Sequence, residues 1–427
     1  MGDLVRLTTA GSVDDGKTTL VGRLLYDTRS VLADQLAAVQ DASARRGSAT
    51  LDLALLVDGL RAERAQGITI DVAYRYFATP ARSFILADAP GHVQYTRNMV
   101  TGACTAQVAV LLVDARTGVL EQTRRHAAIL ALLGVPRLVL AVNKIDLVDY
   151  DEAVFARIAK EFTAHTLALG YPHERVVSIP VCALLGDNVV DPSAHTPWYA
   201  GPTLIEHLDT VPVHGDANRV GLRFPVQYVI RPRTPEYPDY RGYAGQIAAG
   251  TVTVGDQVMV LPSGVRSTVS GIDSPHGPCT TATTGQSVTL LLAEDLDVSR
   301  GDLIATAAAP PRLTQQVTAT LCWLAQRPAH AGMRVLVKHG TRTVPALVTA
   351  LLSRFDEQTL CSIDAPESLA LNDIGRVTLR SAQPLPLDDY AHGRGNGAFL
   401  VIDPADGTTL AGGLVGAPLP VLDPTRT

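Results

Sequence analysis

Gly11-Ser-Val-Asp-Asp-Gly16-Lys17-Thr18 follows the aliphatic run Leu4–Thr9 and opens a helix-forming stretch from about Lys17 to Leu25. It matches G-x-x-x-x-G-K-[ST] in full, in the strand–turn–helix context that the pattern requires. Glycines let the backbone wrap so that consecutive N–H groups point inward at phosphate oxygens. The helix N-terminus adds partial positive charge. Lys17 would bridge the β- and γ-phosphates, the Thr18 hydroxyl would ligate Mg²⁺, and Thr19 would complete the nucleotide-binding loop. The plainer alternative is a glycine-rich strand–helix turn with an incidental lysine; the complete motif in its required context favours a phosphate site.

Two segments further on choose the nucleotide. Asp88-Ala89-Pro90-Gly91-His92 follows the apolar strand Phe84-Ile-Leu-Ala87. Asp88, at a strand end, is placed to hold Mg²⁺ through water, and Gly91 can bring its N–H to a γ-phosphate. Asn143-Lys144-Ile145-Asp146 follows the apolar strand Leu138–Val142. A carboxylate there can accept from guanine N1–H and N2–H₂, donors that adenine lacks in that arrangement. A good bidentate base contact discriminates by ~1–3 kcal/mol. N-K-x-D is weak by itself and gains weight from its register after the phosphate loop.

With these segments in place the chain resembles the translation-factor GTPases. Their pattern is present as GSVDDGKT, then Gly67-Ile-Thr-Ile70, then DAPGH, then NKID. The resemblance implies that Thr69 lies in the first switch and ligates Mg²⁺ in the GTP state. It implies a guanine contact from Cys182-Ala183-Leu184, where the class usually has Ser-Ala-Leu. Cysteine keeps the Ala183 N–H but is expected to weaken the hydroxyl bracing of that turn. It also implies that His92 positions the attacking water, placement and charge compensation being most of phosphoryl-transfer catalysis. A solvent-facing histidine is the plainer alternative. His126, His173, His207, His276, His339 and His392 show no metal-ligand spacing and suit surface or packing roles.

Strand–helix alternation through residue 212 argues for a mostly parallel sheet covered on both faces. Helical patterns occupy Gln94–Thr105, Glu121–Leu133 and Glu152–Leu169, with Gly170 as a stop and Pro202 at the first turn of one more helix. The second half has short β-like runs such as Gly250–Gly255, Gln257–Leu261, Ser287–Leu292 and Leu347–Leu352. These suggest antiparallel barrels or sandwiches. Ala307-Ala-Ala-Pro-Pro311 reads as a linker. The expected architecture is an α/β P-loop GTPase domain over 1–212, then antiparallel β-barrel domains over 218–308 and 312–420.

Composition agrees. Across 427 residues, about three domains at ~150 residues each, 46% are apolar and 18% charged, which excludes a disordered chain. The formal charge of −6 is a poor match for nonspecific binding to nucleic acid or an anionic membrane. The apolar stretch Ala127–Val142 contains Gly134, Pro136 and Arg137 and is too short to span a bilayer. Arg6 excludes a myristoylation signal. Five cysteines at 104, 182, 279, 322 and 361 form no C-x-x-C pair and point to reduced thiols in the cytoplasm.

Finer features narrow the resemblance to the large, GTP-binding subunit of bacterial heterodimeric sulfate adenylyltransferase. Asp14-Asp15 stands where elongation factor Tu has Asp-His. Leu24-Leu-Tyr-Asp-Thr28, Asp52–Leu60, Arg61-Ala-Glu-Arg64, Gln94-Tyr-Thr-Arg-Asn98, Gln122-Thr-Arg-Arg-His126, Tyr237–Gly245, Arg334–Thr341 and Asn396–Asp403 continue it over nearly the whole chain. The resemblance implies a smaller catalytic partner that makes adenosine 5′-phosphosulfate and pyrophosphate from ATP and sulfate, driven by GTP hydrolysis on this chain. In agreement, no H-x-G-H nucleotidyl-transfer motif and no second P-loop is present. The stretch 26–66 is longer than loops usually are and suits an element ordered by γ-phosphate. Its apolar patch Leu51–Leu60 is read either as a partner contact or as a helix packed on the G domain. The alternative function is an elongation-factor-like carrier of aminoacyl-tRNA.

Overall fold

The structure is a computed structural model, and it describes residues 3–45, 53–57, 72–90, 96–212, 220–232, 234–236, 239–356 and 358–422. Contacts divide the chain into one unit of Met1–Val213 with Glu357–Cys361 and Leu419–Val421, and a second holding the remainder.

In the first unit the short aliphatic runs form β1 (Leu4–Gly11), β2 (Ala73–Ala78), β3 (Ser83–Asp88), β4 (Val108–Asp114), β5 (Arg137–Asn143) and β6 (Val176–Pro180). The sheet order is β2-β3-β1-β4-β5-β6. Only the edge strand β2 runs antiparallel. Helices are α1 (Lys17–Asp27), α2 (Ala33–Arg45), α3 (Thr96–Ala103), α4 (Glu121–Leu132), α5 (Glu152–Ala168) and α6 (Leu204–Thr210). β4 is buried along its whole length, as a central parallel strand covered on both faces must be. Register sets the site. Thr9 lies opposite Asp88, Gly11 opposite Leu112, and Asp114 opposite Asn143. The carboxyl ends of four strands therefore share one edge, where open α/β sheets bind ligands.

The helix ends follow local chemistry. Asp151 caps α5 by accepting from the N–H groups of Ala153 and Val154, and Gly170 ends it with φ of 95°. Pro202 differs from expectation. It precedes the helix rather than entering it, because Thr203 and Glu206 form a reciprocal capping box that fixes the start at Leu204. α3 ends at Ala103, two residues before the end of the sequence pattern; residues 94 and 95 lie outside the described residues.

Residues 53–57 settle part of the question about the patch Leu51–Leu60. Leu53 and Val57 are 2% and 5% exposed, and Val57 joins the core formed by Leu20, Leu24, Phe84 and Leu86. A Cβ on Gly22 would stand 2.2 Å from the Leu53 carbonyl oxygen, so bare backbone on α1 admits the segment. Leu53 and Val57 thus pack on the G domain, as the second of the two readings expects, while Ala54, Leu55 and Leu56 are half-buried. Leu51, Asp52 and residues 58–60 lie outside the described residues.

Among the described residues the second unit holds a small antiparallel sheet of Thr251–Thr253 with Thr281–Thr283 and two larger antiparallel sheets. The first of the larger two runs Arg223–Pro225, Leu303–Thr306, Gln257–Leu261, Val265–Ser274, Ser287–Leu292, Gly242–Gln246 and Tyr228–Ile230. It curls back so that Arg223 bridges Ala249. Phe224, Tyr243, Val258 and Leu290 fill it. The second runs Arg334–His339, Ala398–Ile402, Thr409–Val415, Arg312–Trp323, Ile374–Leu387 and Arg342–Asp356, which pairs again with Arg334–His339 and closes a barrel. Trp323 is fully buried within it. Closure removes the edge strands.

A buried ion pair ties the two sheets. Arg223 Nε and Nη2 donate to the two oxygens of Asp388 at 2.7 and 2.9 Å, and Asn396 Nδ2 donates to Asp388 Oδ2 at 2.9 Å. The Arg223 and Asp388 side chains are 3% and 10% exposed. Removing one partner strands a buried charge, at a cost of about 3–5 kcal/mol. Asp388→Ala is therefore expected to lower the urea midpoint of the transition reported by Trp323 fluorescence; an unshifted midpoint would show that the pair contributes nothing net.

No helix among the described residues is long and apolar enough to cross a membrane.

Candidate functional site

The phosphate loop has the backbone its sequence demands. Asp14 and Gly16 take φ of 67° and 91°. At Gly16 the position is also crowded, since a Cβ would lie 2.4 Å from Asn143 Nδ2. Lys17 is 7% exposed, and its Nζ donates to the carbonyls of Gly11 and Ser12, each at 2.9 Å. The ammonium is thus folded back over the loop. Burial pushes its pKa down, while the carboxylates of Asp88, Asp15 and Asp14 oppose that. Asp15 is 4% exposed, and its Oδ2 accepts from the Ser12 N–H at 2.5 Å. Burial raises its pKa against that hydrogen bond and the nearby Lys17. Val13 and Asp14 are exposed, and Thr18 and Thr19 half-buried.

Asn143 is the hinge pin of the site. Its Nδ2 donates to the Asp15 carbonyl at 2.7 Å and its Oδ1 accepts from the Ala183 N–H at 3.0 Å. One side chain thereby joins the phosphate loop, the 143–146 segment and the 182–184 turn. Lys144 Nζ donates to the Asp14 carbonyl at 2.5 Å and pairs with Asp114 Oδ2 at 3.0 Å. Ile145 is buried and Asp146 half-buried. Cys182 is 1% exposed, and the Asp146 carboxylate lies close enough to act on its thiol. Burial first, and that carboxylate second, push the thiol up to about 12, so it stays protonated. Arg23 of α1 supports the same turn by donating Nε to the Ala183 carbonyl at 3.1 Å and Nη2 to the Leu184 carbonyl. Leu184 itself is exposed.

Asp88 is 1% exposed at the end of β3, and Thr9 Oγ1 donates to its Oδ1 at 2.8 Å. Ala89 and Pro90 are buried beside it. Thr69, Gly91 and His92 lie outside the described residues.

Sequence reasoning missed several members of the site. Asp114 ends β4 and is gripped by Arg116 through Nε at 3.0 Å and Nη2 at 2.6 Å. Burial pushes the Asp114 carboxyl up, but the bonds from Arg116 and Lys144 outweigh it and hold it well below the usual carboxylate range. An acid closing the otherwise apolar strand 108–114 was the available signal.

His126 takes the packing role that the sequence suggests for it. On α4, 3% exposed, it faces Gln122 across 2.9 Å between the two Nε2 atoms, while its Nδ1 has no hydrogen-bond partner among the described residues. Burial pushes its pKa down to about 3, aided by the charges of Lys17 and Arg125. An unfolded histidine titrates near 6.5, so below that pH the unfolded chain binds a proton that the folded chain refuses. Stability from this group is intact above about pH 6.5 and is lost as pH falls toward the folded value, by up to about 1.4 kcal/mol per pH unit. His126→Gln is expected to flatten the fall in urea midpoint between pH 6.5 and 4.5; an unchanged slope would show that His126 is not the group refusing the proton.

Comparison with known proteins agrees with this geometry. Residues 3–214 match the family described as elongation factor Tu GTP binding domain, and residues 316–416 match the GTP-eEF1A C-terminal domain-like family. The chain is 47% identical to sulfate adenylyltransferase subunit 1 of Laribacter hongkongensis, over 97% of this chain and 85% of the relative. It is 48% identical to the protein of the same name in Citrobacter koseri, over 97% of this chain and 87% of the relative. It is 53% identical to the bifunctional enzyme CysN/CysC of Mycobacterium tuberculosis, and there spans 67% of the relative's length. Strand-end geometry, the three joined loops and these matches lead to one assignment: the chain belongs to the sulfate adenylyltransferase subunit 1 family and carries its elongation-factor-type GTPase domain.

Proposed function

We propose that this chain binds GTP with Mg²⁺ and hydrolyses it to drive a separate, smaller catalytic subunit that makes adenosine 5′-phosphosulfate and pyrophosphate from ATP and sulfate. The observation that carries the reading is Asn143, whose one amide joins the phosphate loop to the Ala183 turn. Phosphates would lie on the N–H groups of Gly11–Thr19, with Lys17 moving off the loop carbonyls onto β- and γ-oxygens. Asp146 and the Ala183 N–H would read guanine. Hard oxygen donors from Thr18, Thr69 and Asp88 suit Mg²⁺, and the Thr9 hydroxyl already orients the Asp88 carboxylate. The ion would supply charge neutralisation between the phosphates. His92 would position the attacking water.

The reason for such a subunit is energetic. The phosphosulfate anhydride is very reactive, so its formation is strongly uphill and needs a coupled hydrolysis. The relatives reported above carry the sulfate adenylyltransferase name over nearly this whole chain, which favours that client over aminoacyl-tRNA. The five free cysteines, two of them buried, suit a reducing cytoplasm.

The test is synthesis of adenosine 5′-phosphosulfate with the purified chain, with and without its small partner, and with and without GTP. Product is expected only when both chains and GTP are present. Synthesis by this chain without a partner would overturn the scheme.

A further inference from the structure

The segment carrying Asp146 is held in a backbone conformation that its own residues resist. Asp149 and Tyr150 take φ of 53° and 55°, and neither is glycine. For a bulky residue such as tyrosine the left-handed region is costly, and it persists only where the surroundings enforce it. The enforcing contacts are specific. Tyr150 Oη donates to Asp187 Oδ2 at 3.0 Å, and Trp198 Nε1 donates to the Tyr150 carbonyl at 3.0 Å. The Tyr150 ring stacks on His195 with centroids 4.8 Å apart. The Tyr150 N–H closes the turn by donating to the Ile145 carbonyl at 2.9 Å.

Asp187 holds the other base loop as well. Its carbonyl accepts from the Cys182 N–H at 3.2 Å, and its Oδ1 accepts from Ser193 Oγ at 2.6 Å. One residue therefore ties the 145–150 turn, through Tyr150, to the start of the 182–186 turn. The first turn carries the Asp146 carboxylate and the second the Ala183 N–H. The Asn143 amide joins the same two segments by accepting from the Ala183 N–H at 3.0 Å, and Asp187 adds the tie on the far side of Asp146.

We propose that Tyr150 and Asp187 are positioning residues for base selectivity: they hold Asp146 where it accepts from both N1–H and the 2-amino group of guanine, and so reject hypoxanthine nucleotides. The proposal rests on the GTP reading above. A bidentate contact needs both donors aligned at once. Releasing Tyr150 lets its turn relax toward ordinary backbone, and the carboxylate then keeps at best one of its two bonds. The contact at risk is the one that distinguishes guanine from hypoxanthine.

The experiment measures equilibrium binding of GDP and IDP to the full chain, for wild type, Tyr150→Phe, Asp187→Ala and Asp187→Asn. Wild type is expected to prefer GDP. Tyr150→Phe, which removes one hydroxyl and keeps the stacked ring, is expected to cut the GDP:IDP preference about tenfold, mainly by weakening GDP. Asp187→Ala should do the same, and Asp187→Asn, which keeps a side-chain oxygen for Tyr150, should retain most of the preference. A brace that served only stability would weaken GDP and IDP alike. An unchanged ratio in Tyr150→Phe, at whatever absolute affinity, therefore overturns the proposal. A wild-type chain that binds GDP and IDP equally would instead sink the guanine-site reading on which it rests.

Discussion

His92→Ala is expected to slow GTP hydrolysis by about 10²–10⁴-fold while leaving nucleotide affinity nearly intact. Phosphoryl transfer asks little covalent work of the protein, so the rate depends on placing water in line and offsetting developing charge. In the proposed site, binding would depend on other groups: the N–H cradle of residues 11–19, Lys17, and the base contacts at Asp146 and Ala183. A residue that acts on the water alone can be lost without weakening GTP, and the kcat-against-affinity split is the signature. Single-turnover hydrolysis at saturating chain, paired with GDP and GTP dissociation constants, reads it directly. Wild-type hydrolysis in the variant would make His92 a bystander. A parallel fall in affinity and rate would place it in the binding shell. If hydrolysis drives phosphosulfate synthesis, the same variant should also lose GTP-stimulated product in the two-subunit assay.

Much of this molecule was legible in the sequence, for identifiable reasons. The parallel sheet could be read because runs such as 108–113 and 138–142 are wholly aliphatic, which only strands buried on both faces tolerate. The loop backbone of the candidate site could be read because a phosphate cradle needs glycine spacing that few other structures need, and Gly16 has φ of 91°. What escaped were contacts between segments far apart in sequence. Asn143 was read as part of a base motif, yet its amide bonds the phosphate loop on one side and Ala183 on the other. The Cys182 substitution promised a looser turn. The structure supplies ties that the local pattern could not display, from Arg23 in α1 and from Asp187. The patch Leu51–Leu60 left two readings open, and what decides for Leu53 and Val57 is a distant glycine, Gly22, that makes room for them. Pro202 misled for a local reason, since a stronger capping pair sits directly after it.

Lys17→Ala is expected to weaken GTP binding by about 10²–10³-fold, the scale for truncating one member of a buried, hydrogen-bonded charge pair. In the structure the ammonium bonds two loop carbonyls and lies among the carboxylates of Asp88, Asp15 and Asp14. Those carboxylates would repel a triphosphate if the lysine were absent, so the loss has two parts. One is the missing bond to β- and γ-oxygens. The other is the uncompensated negative charge of Asp14 and Asp15 beside the phosphates. The second part makes a distinct forecast: Lys17→Arg, which keeps the charge in a bulkier group, should recover part of the affinity, whereas Lys17→Met, which keeps length without charge, should not. Loss of the bonds to Gly11 and Ser12 also loosens the loop, but that effect would appear in the melting temperature of the nucleotide-free chain and would not depend on phosphate number. Comparing GMP, GDP and GTP separates the two, because a charge effect grows along that series. Equal losses for all three nucleotides would move Lys17 from phosphate ligand to loop brace, and unchanged affinity would remove the phosphate-loop assignment.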